Sequence, residues 1–205
     1  MPAVRRLSLY LRQLEILRDR EVRTISSRQL GDALGIHNAQ VRKDLGYFGQ
    51  FGYPGIGYRV DELVVRIRRI LGTDKRWNVL LVGAGNLGRA LVRYRGFGKK
   101  GFHIVAVFDA DENLVGTTID RSRGIVVQPV SAMTAAVRKL NIQLGILAVP
   151  ADAAQQVADE MLASGVRGIL NFAPAALQIN EGAVAGVDLA VHLEQLSFRL
   201  SSEPS

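Results

Sequence analysis

Residues 78–88 read NVLLVGAGNLG, and residues 89–97 continue RALVRYRGF. An unbroken apolar run that ends in glycines and gives way to a mixed polar–apolar segment predicts a buried strand turning sharply into a helix. Gly83, Gly85 and Gly88 form G-x-G-x-x-G, with Ala84, Asn86 and Leu87 between them. In such a turn the first glycine permits the bend, the second lets a pyrophosphate approach the backbone, and the third lets the helix pack closely. The helix that follows offers unpaired N–H groups and a partial positive charge to phosphates. The next strand is expected at FHIVAVFDAD, residues 102–111, with Asp109 standing 21 residues after Gly88. A carboxylate there accepts hydrogen bonds from an adenosine ribose and repels a 2′-phosphate, which favours NAD(H) over NADP(H).

Further strands are predicted at IVVQPV, LGILAVP and GVRGILNFAP, alternating with the helical stretches TAAVRKL and AAQQVADEMLASG. Strands that are continuous Val/Ile/Leu runs between helices imply a parallel sheet covered on both faces. The tail VDLAVHLEQLSFRL carries Leu189, Leu193, Leu196 and Leu200 at 4-3-4 spacing. That narrow apolar seam must bury against something, either its own Rossmann-type unit or another chain.

The N-terminal third has a different character. Residues 1–75 hold 14 Lys/Arg against 8 Asp/Glu, so +6 of the net +7 lies there. A first helix is predicted through Leu7, Leu11, Leu14 and Leu17. A second, SSRQLGDALG, is capped by Ser26 or Ser27, with Leu30, Ala33 and Leu34 on its apolar face. Asn38 is the expected cap of a third, NAQVRKDLGYF, whose Val41, Leu45 and Phe48 face inward. GQFGYPGIGYRV is dense in glycine and suits a hairpin or wing, and DELVVRIRRILG is a helix ending at Gly72. Three helices and a wing make a winged helix-turn-helix whose recognition helix, residues 38–48, would enter a DNA major groove. Asn38, Gln40, Arg42, Lys43 and Tyr47 could then reach base edges or phosphates, with Tyr58 and Arg59 on the wing. The bland alternative for Arg42 and Lys43 is a solvated face paired locally with Asp44.

Composition narrows the rest. With no cysteine there is no disulfide, thiolate metal site or thiol sensor, and no metal site is expected. No apolar run approaches the roughly 20 residues of a membrane span, and the basic start MPAVRRLSLYLRQLEILRDR lacks the apolar core of a secretory signal, so a cytosolic location is expected. A dehydrogenase needs an acid or base beside the nicotinamide. His37, His103 and His192 stand in no such context, and Tyr94 has Gly98 rather than lysine four residues on. The expected site binds a cofactor without turning it over, and no catalytic residue is assigned.

On the stretches VRKDLGYFGQFGYPGIGYRV, VGAGNLGRAL and GILNFAP, the chain resembles the Rex family of redox-sensing transcriptional repressors over roughly residues 7–200. The resemblance implies an α/β fold: a winged-helix domain over residues 1–75, a Rossmann-type domain over 76–187, and a helix and tail over 188–205 swapped between subunits. It implies a homodimer on palindromic double-stranded operator DNA near genes of NADH metabolism, released when NADH binds. Arg12 and Asp188 are similar to the family's inter-subunit ion pair of the DNA-bound arrangement, and Tyr94 to a tyrosine that rearranges near the nicotinamide. Ala148, Val149 and Pro150, with Asn171, Phe172, Ala173 and Pro174, match segments lining the dinucleotide pocket. Leu189 stands where relatives can carry a bulkier aromatic.

Three other readings remain open on the residues. One is a small NAD-dependent oxidoreductase, against which the missing base counts. Another is a regulator responding to a CoA-type nucleotide, since the second domain also resembles the CoA-binding domains of acyl-CoA synthetases. The third is an architectural DNA-binding dimer indifferent to nucleotides.

Overall fold

A computed structural model describes residues 2–179 and 182–201. It divides into two compact units, Met1–Lys75 and Arg76–Ser205.

The first unit contains α1 (Pro2–Asp19), β1 (Thr24–Ile25), α2 (Ser27–Asp32), α3 (Asn38–Phe48), β2 (Gly52–Tyr53), β3 (Gly57–Arg59) and α4 (Val60–Ile70). The three short strands form an antiparallel sheet in the order β1-β3-β2, so the predicted wing is the β2–β3 hairpin. Leu7, Tyr10, Leu11 and Leu14 of α1 bury with Leu30, Val41, Leu45, Leu63 and Ile67. Each such side chain stabilises the unit by about 1.5–3 kcal/mol relative to exposure. Ser26 caps α2 in a reciprocal capping box with Gln29. That helix stops at Asp32, earlier than its sequence pattern suggested, and Ala33 is exposed.

The cap of α3 is a correction. His37, not Asn38, is the N-cap, its Nδ1 accepting from the Ala39 N–H at 3.3 Å, and Asn38 is the first helical residue. Both side chains can accept, but only His37 has the extended backbone a cap requires (φ −60°, ψ 136°).

The second unit runs β4 (Trp77–Val82), α5 (Asn86–Arg93), α6 (Gly96–Lys99), β5 (Phe102–Asp109), β6 (Thr118–Asp120), β7 (Ile125–Pro129), α7 (Met133–Leu140), β8 (Leu144–Leu147), α8 (Ala151–Ala163), β9 (Gly168–Asn171), β10 (Ala183–Gly186) and α9 (Leu189–Ser201). Its strand order is β10-β9-β8-β4-β5-β7-β6, parallel except for the β6–β7 pair. Chain order reverses direction at β4, so the glycine turn stands at the topological switch point, where open α/β sheets bind ligands. Alternate residues of β4 serve opposite faces. Leu80 and Val82 bury with α7 and α8, whereas Val79 and Leu81 bury with Val92 of α5.

Two strands escaped the sequence pattern. β6 has three residues and β10 (AVAG) four, too few for a pattern to show. Among the described residues no helix joins β9 to β10, and an apolar groove of about 530 Å³ stays open there, lined in part by Ile146, Leu170 and Val184. The tail also departs from a packed helix. α9 buries none of its residues, and Leu189, Leu193, Leu196 and Leu200 are 66%, 67%, 53% and 73% exposed. Residues 202–205 of the expected tail lie outside the described residues.

Candidate functional site

The glycine turn is built by close backbone contact. Gly83 has φ +103°, and a Cβ there would stand 2.2 Å from the Ala148 carbonyl oxygen. A Cβ on Gly88 would stand 1.8 Å from the Gly83 carbonyl oxygen, so the third glycine seats α5 on the turn itself. Gly85 is unlike both. A Cβ there would meet nothing within 4 Å. It occupies the N-cap of α5 without a side-chain cap, so the first N–H groups of the helix, those of Asn86, Leu87 and Gly88, have no helical acceptor. Open space beside unpaired amides suits a pyrophosphate.

Asp109 closes β5 beside this turn. Its Oδ2 accepts from the Ala84 N–H at 2.6 Å and its Oδ1 from the Asp111 N–H at 2.9 Å. The carboxylate therefore shapes the loop. Each oxygen retains a second lone pair for a hydroxyl. Ala148, Val149 and Pro150 continue from β8 at the same end of the sheet, where the Ala148 N–H donates to the Val82 carbonyl at 2.9 Å. Asn171 is buried and shapes its own loop: Oδ1 accepts from the Ala173 N–H at 2.8 Å, and Nδ2 donates to the Ala175 carbonyl at 2.9 Å. Ala173 is buried too, so Phe172 and Pro174 are the members of that segment with accessible surface.

Tyr94 stands apart from the glycine turn. It follows the C-terminal end of α5, the end opposite the glycine turn. There it stacks edge-on against Phe97 at 5.1 Å, in a groove lined also by Val79 and Phe102 toward the opposite end of the central strands. Eight residues of helix at 1.5 Å each separate it from Gly85. Tyr94 does not line the dinucleotide turn of its own chain.

In the first unit, Arg42, Lys43 and Tyr47 lie on the exposed face of α3, with Tyr47 81% exposed. Arg42 donates to Ser27 Oγ at 3.2 Å, across to the start of α2. Asn38 and Gln40 are half-buried. Arg59 is tied back to the base of the wing, 3.1 Å from Glu62 and over the Tyr53 ring. Such an exposed pair is worth about 0–1 kcal/mol, which a phosphate contact easily replaces. Tyr58 leaves the set of DNA contacts: it is 8% exposed, within the core, and burial pushes its phenol pKa up.

The structure removes the bland alternative for Asp44. It does not pair with Arg42 or Lys43 on the outer face of α3. It is 3% exposed on the inner face, in a two-pronged ion pair with Arg6 (Nη2 to Oδ1, 2.7 Å), and it accepts from Tyr10 Oη at 2.8 Å and Gln40 Nε2 at 2.7 Å. The Arg6 hydrogen bonds, more than the others, hold its carboxyl below the usual range. A carboxyl with a depressed folded pKa adds stability above its unfolded value near 4, and that contribution disappears as pH falls through the lower folded value. Below about pH 4 the first unit should therefore weaken, and Asp44→Asn should remove that part of the slope. Near-ultraviolet tyrosine circular dichroism against pH checks this, since four of the five tyrosines lie in that unit.

Two families match segments of the chain: "CoA binding domain" over residues 74–175 and "Putative DNA-binding protein N-terminus" over residues 1–46. The redox-sensing transcriptional repressor Rex of Syntrophomonas wolfei is 45% identical over 199 residues, covering 97% of this chain and 93% of its own. That of Carboxydothermus hydrogenoformans is 46% identical over 198 residues, 96% and 94% of the two chains. The chain belongs to the Rex family of redox-sensing transcriptional repressors. Among solved structures, RSP, a Rex-family repressor in complex with β-NAD⁺ and operator DNA, is similar at a TM-score of 0.92 and 39% identity, covering 98% of this chain and 92% of that one. RSP in complex with β-NADH matches at 0.87 and 37%, covering 98% and 93%.

Family membership gives Arg12 and Asp188 their interest, and the structure places each. Arg12 is exposed on α1. Asp188 caps α9: its Oδ1 accepts from the N–H groups of Ala190 (2.9 Å) and Val191 (3.1 Å). One carboxylate oxygen is thus committed to the helix, leaving Oδ2 for another donor. Among the described residues no helix is long and apolar enough to cross a membrane.

Proposed function

We propose that this chain represses transcription as a homodimer on palindromic operator DNA and reads the NADH/NAD⁺ ratio, NADH binding lowering its affinity for the operator. The observation that carries the reading is the pair of sites on one chain: a glycine turn open at Gly85 beside Asp109, and a recognition helix exposing Arg42, Lys43 and Tyr47. The relatives support the pairing, because RSP has been crystallised with NAD⁺ and operator DNA together and with NADH.

The turn amides after Gly85 hold the pyrophosphate, Asp109 takes the adenosine ribose, and Ala148–Pro150 with Phe172 and Pro174 flank the nicotinamide end. NAD⁺ and NADH differ there by one positive charge, and an apolar flank disfavours the cation. Discrimination in the operator equilibrium can arise only from different affinities of the ligand for the free and DNA-bound arrangements. By linkage, the operator must weaken NADH binding by the factor by which NADH weakens operator binding.

Dimerisation is supported by two unpartnered apolar surfaces on the second unit, the face of α9 and the groove over β8–β10. Exchange of α9 between protomers would bring Asp188 to the partner's Arg12. Tyr94, remote from its own glycine turn, could then serve only the partner's nicotinamide.

A mobility-shift titration of an operator fragment with NADH and, separately, NAD⁺ tests the reading. Release by NADH at concentrations where NAD⁺ leaves the complex intact is expected. Equal effects, or none, overturn it, and tight calorimetric binding of CoA but not NADH would reassign the ligand.

A further inference from the structure

Gln40 occupies the first turn of α3, the part of a recognition helix that meets base edges. A free glutamine amide can turn either its oxygen or its nitrogen toward a base, so residue type alone leaves its reading ambiguous. Here the neighbour removes the ambiguity. Gln40 Nε2 lies 2.7 Å from Asp44 Oδ1. Asp44 is buried, and its two-pronged bond to Arg6, together with the Tyr10 hydroxyl, keeps it ionised and fixed. An ionised carboxylate only accepts, so the amide atom facing it must be the nitrogen. Gln40 Oε1 therefore points away from Asp44, with no hydrogen-bond partner among the described residues, on a side chain that is half-exposed.

We propose that Gln40 reads the operator as a fixed hydrogen-bond acceptor, selecting a base with an exocyclic amino group, and that Asp44 is the positioning residue that sets this polarity. In the major groove, adenine N6 and cytosine N4 donate, whereas guanine O6/N7 and thymine O4 accept. At one position in each half-site adenine or cytosine is favoured. The second Nε2 hydrogen can add a bond to adenine N7 without altering that sense.

Asp44→Asn removes the fixed acceptor that sets this polarity. Arg6 donates to both oxygens of Asp44 and the Tyr10 hydroxyl can donate or accept, so the substituted amide can turn either its oxygen or its nitrogen toward Gln40. Gln40 is then free to present either end of its amide, and the preference at that position flattens. The inference rests on the repressor reading but fails separately from it. Failure of the full-length wild type to select any operator from random duplex DNA would sink the repressor reading. The polarity is tested on the selected operator, by measuring the affinity for all four bases at each half-site position.

Wild type is expected to favour adenine or cytosine about tenfold at one position, the worth of roughly one hydrogen bond, and Gln40→Met to flatten that position alone. A generally loosened helix would weaken all positions together, so the position-specific readout separates positioning from structural damage. Asp44→Asn, if folded, is expected to flatten the preference there. An unchanged profile in Gln40→Met, or a Gln40-dependent preference for guanine or thymine in wild type, overturns the proposal. A folded Asp44→Asn variant with the wild-type profile overturns the role of Asp44. Should Asp44→Asn not fold, the wild-type and Gln40→Met profiles still decide the polarity.

Discussion

Gly85→Val is expected to raise the NADH concentration for half-release of the operator by at least about 100-fold, while operator affinity without ligand and thermal stability stay close to wild type. The space a side chain would take at Gly85 is empty of protein, and its backbone (φ −67°, ψ −164°) is extended and open to any residue. The protein therefore loses little. A ligand phosphate seated on the α5 amides loses its place, and two charged hydrogen bonds at roughly 1.5 kcal/mol each amount to about 100-fold. Gly88→Ala should behave in the opposite way. Its methyl would stand 1.8 Å from the Gly83 carbonyl oxygen, a backbone atom that cannot swing aside. Overpacking of that kind costs about 1–3 kcal/mol or more, so α5 must lift and the second unit melts several degrees lower. Fluorescence of Trp77, the single tryptophan, reports that melting, while a mobility shift with and without NADH reports function. Similar losses in the two variants would mean that the turn is a structural element only.

The contrast between those glycines marks the limit of what the sequence could say. The turn, its strand and helix, and Asp109 were legible because each imposes a residue type at a fixed spacing. The spacing could not show that Gly83 and Gly88 touch protein whereas Gly85 faces emptiness, nor that Asp109 first bonds to the Ala84 amide. Nor could the match of Tyr94 to the family say which subunit's ligand it would meet, or that it lies a helix's length from its own glycine turn. The place of Asp44 was hidden for a related reason. A charged residue among Arg42 and Lys43 reads as surface chemistry, but helical geometry turns position 44 inward, where Arg6, 38 residues away, receives it. Tyr58 shows the reverse: a tyrosine on a wing reads as a DNA contact, yet its side chain completes the core beneath. β10 could not be found by its pattern, because four small or apolar residues are too short a run to tell a strand from a loop, and its place is fixed by parallel pairing with β9.

The 4-3-4 leucines of the tail were legible as a seam, and what the seam meets decides the second large effect. Glutamate at both Leu193 and Leu196 is expected to convert a dimer to a monomer and weaken operator binding at least about 100-fold. In the single chain these side chains are 67% and 53% exposed, so exchanging them for glutamates removes no buried apolar contact within the chain. Any loss must come from a contact with another molecule. A dimer on a palindrome binds its second half-site as an intramolecular event, an advantage on the order of 10²–10⁴ that a monomer forfeits. Far-ultraviolet circular dichroism should stay that of wild type, because α9 keeps its Asp188 cap. The melting temperature should lose the dependence on protein concentration expected of the wild-type dimer. Sedimentation equilibrium decides the point. A double variant that still sediments as a dimer, with operator affinity intact, would place the subunit contact elsewhere. It would also leave Arg12 and Asp188 without the helix exchange that brings them together.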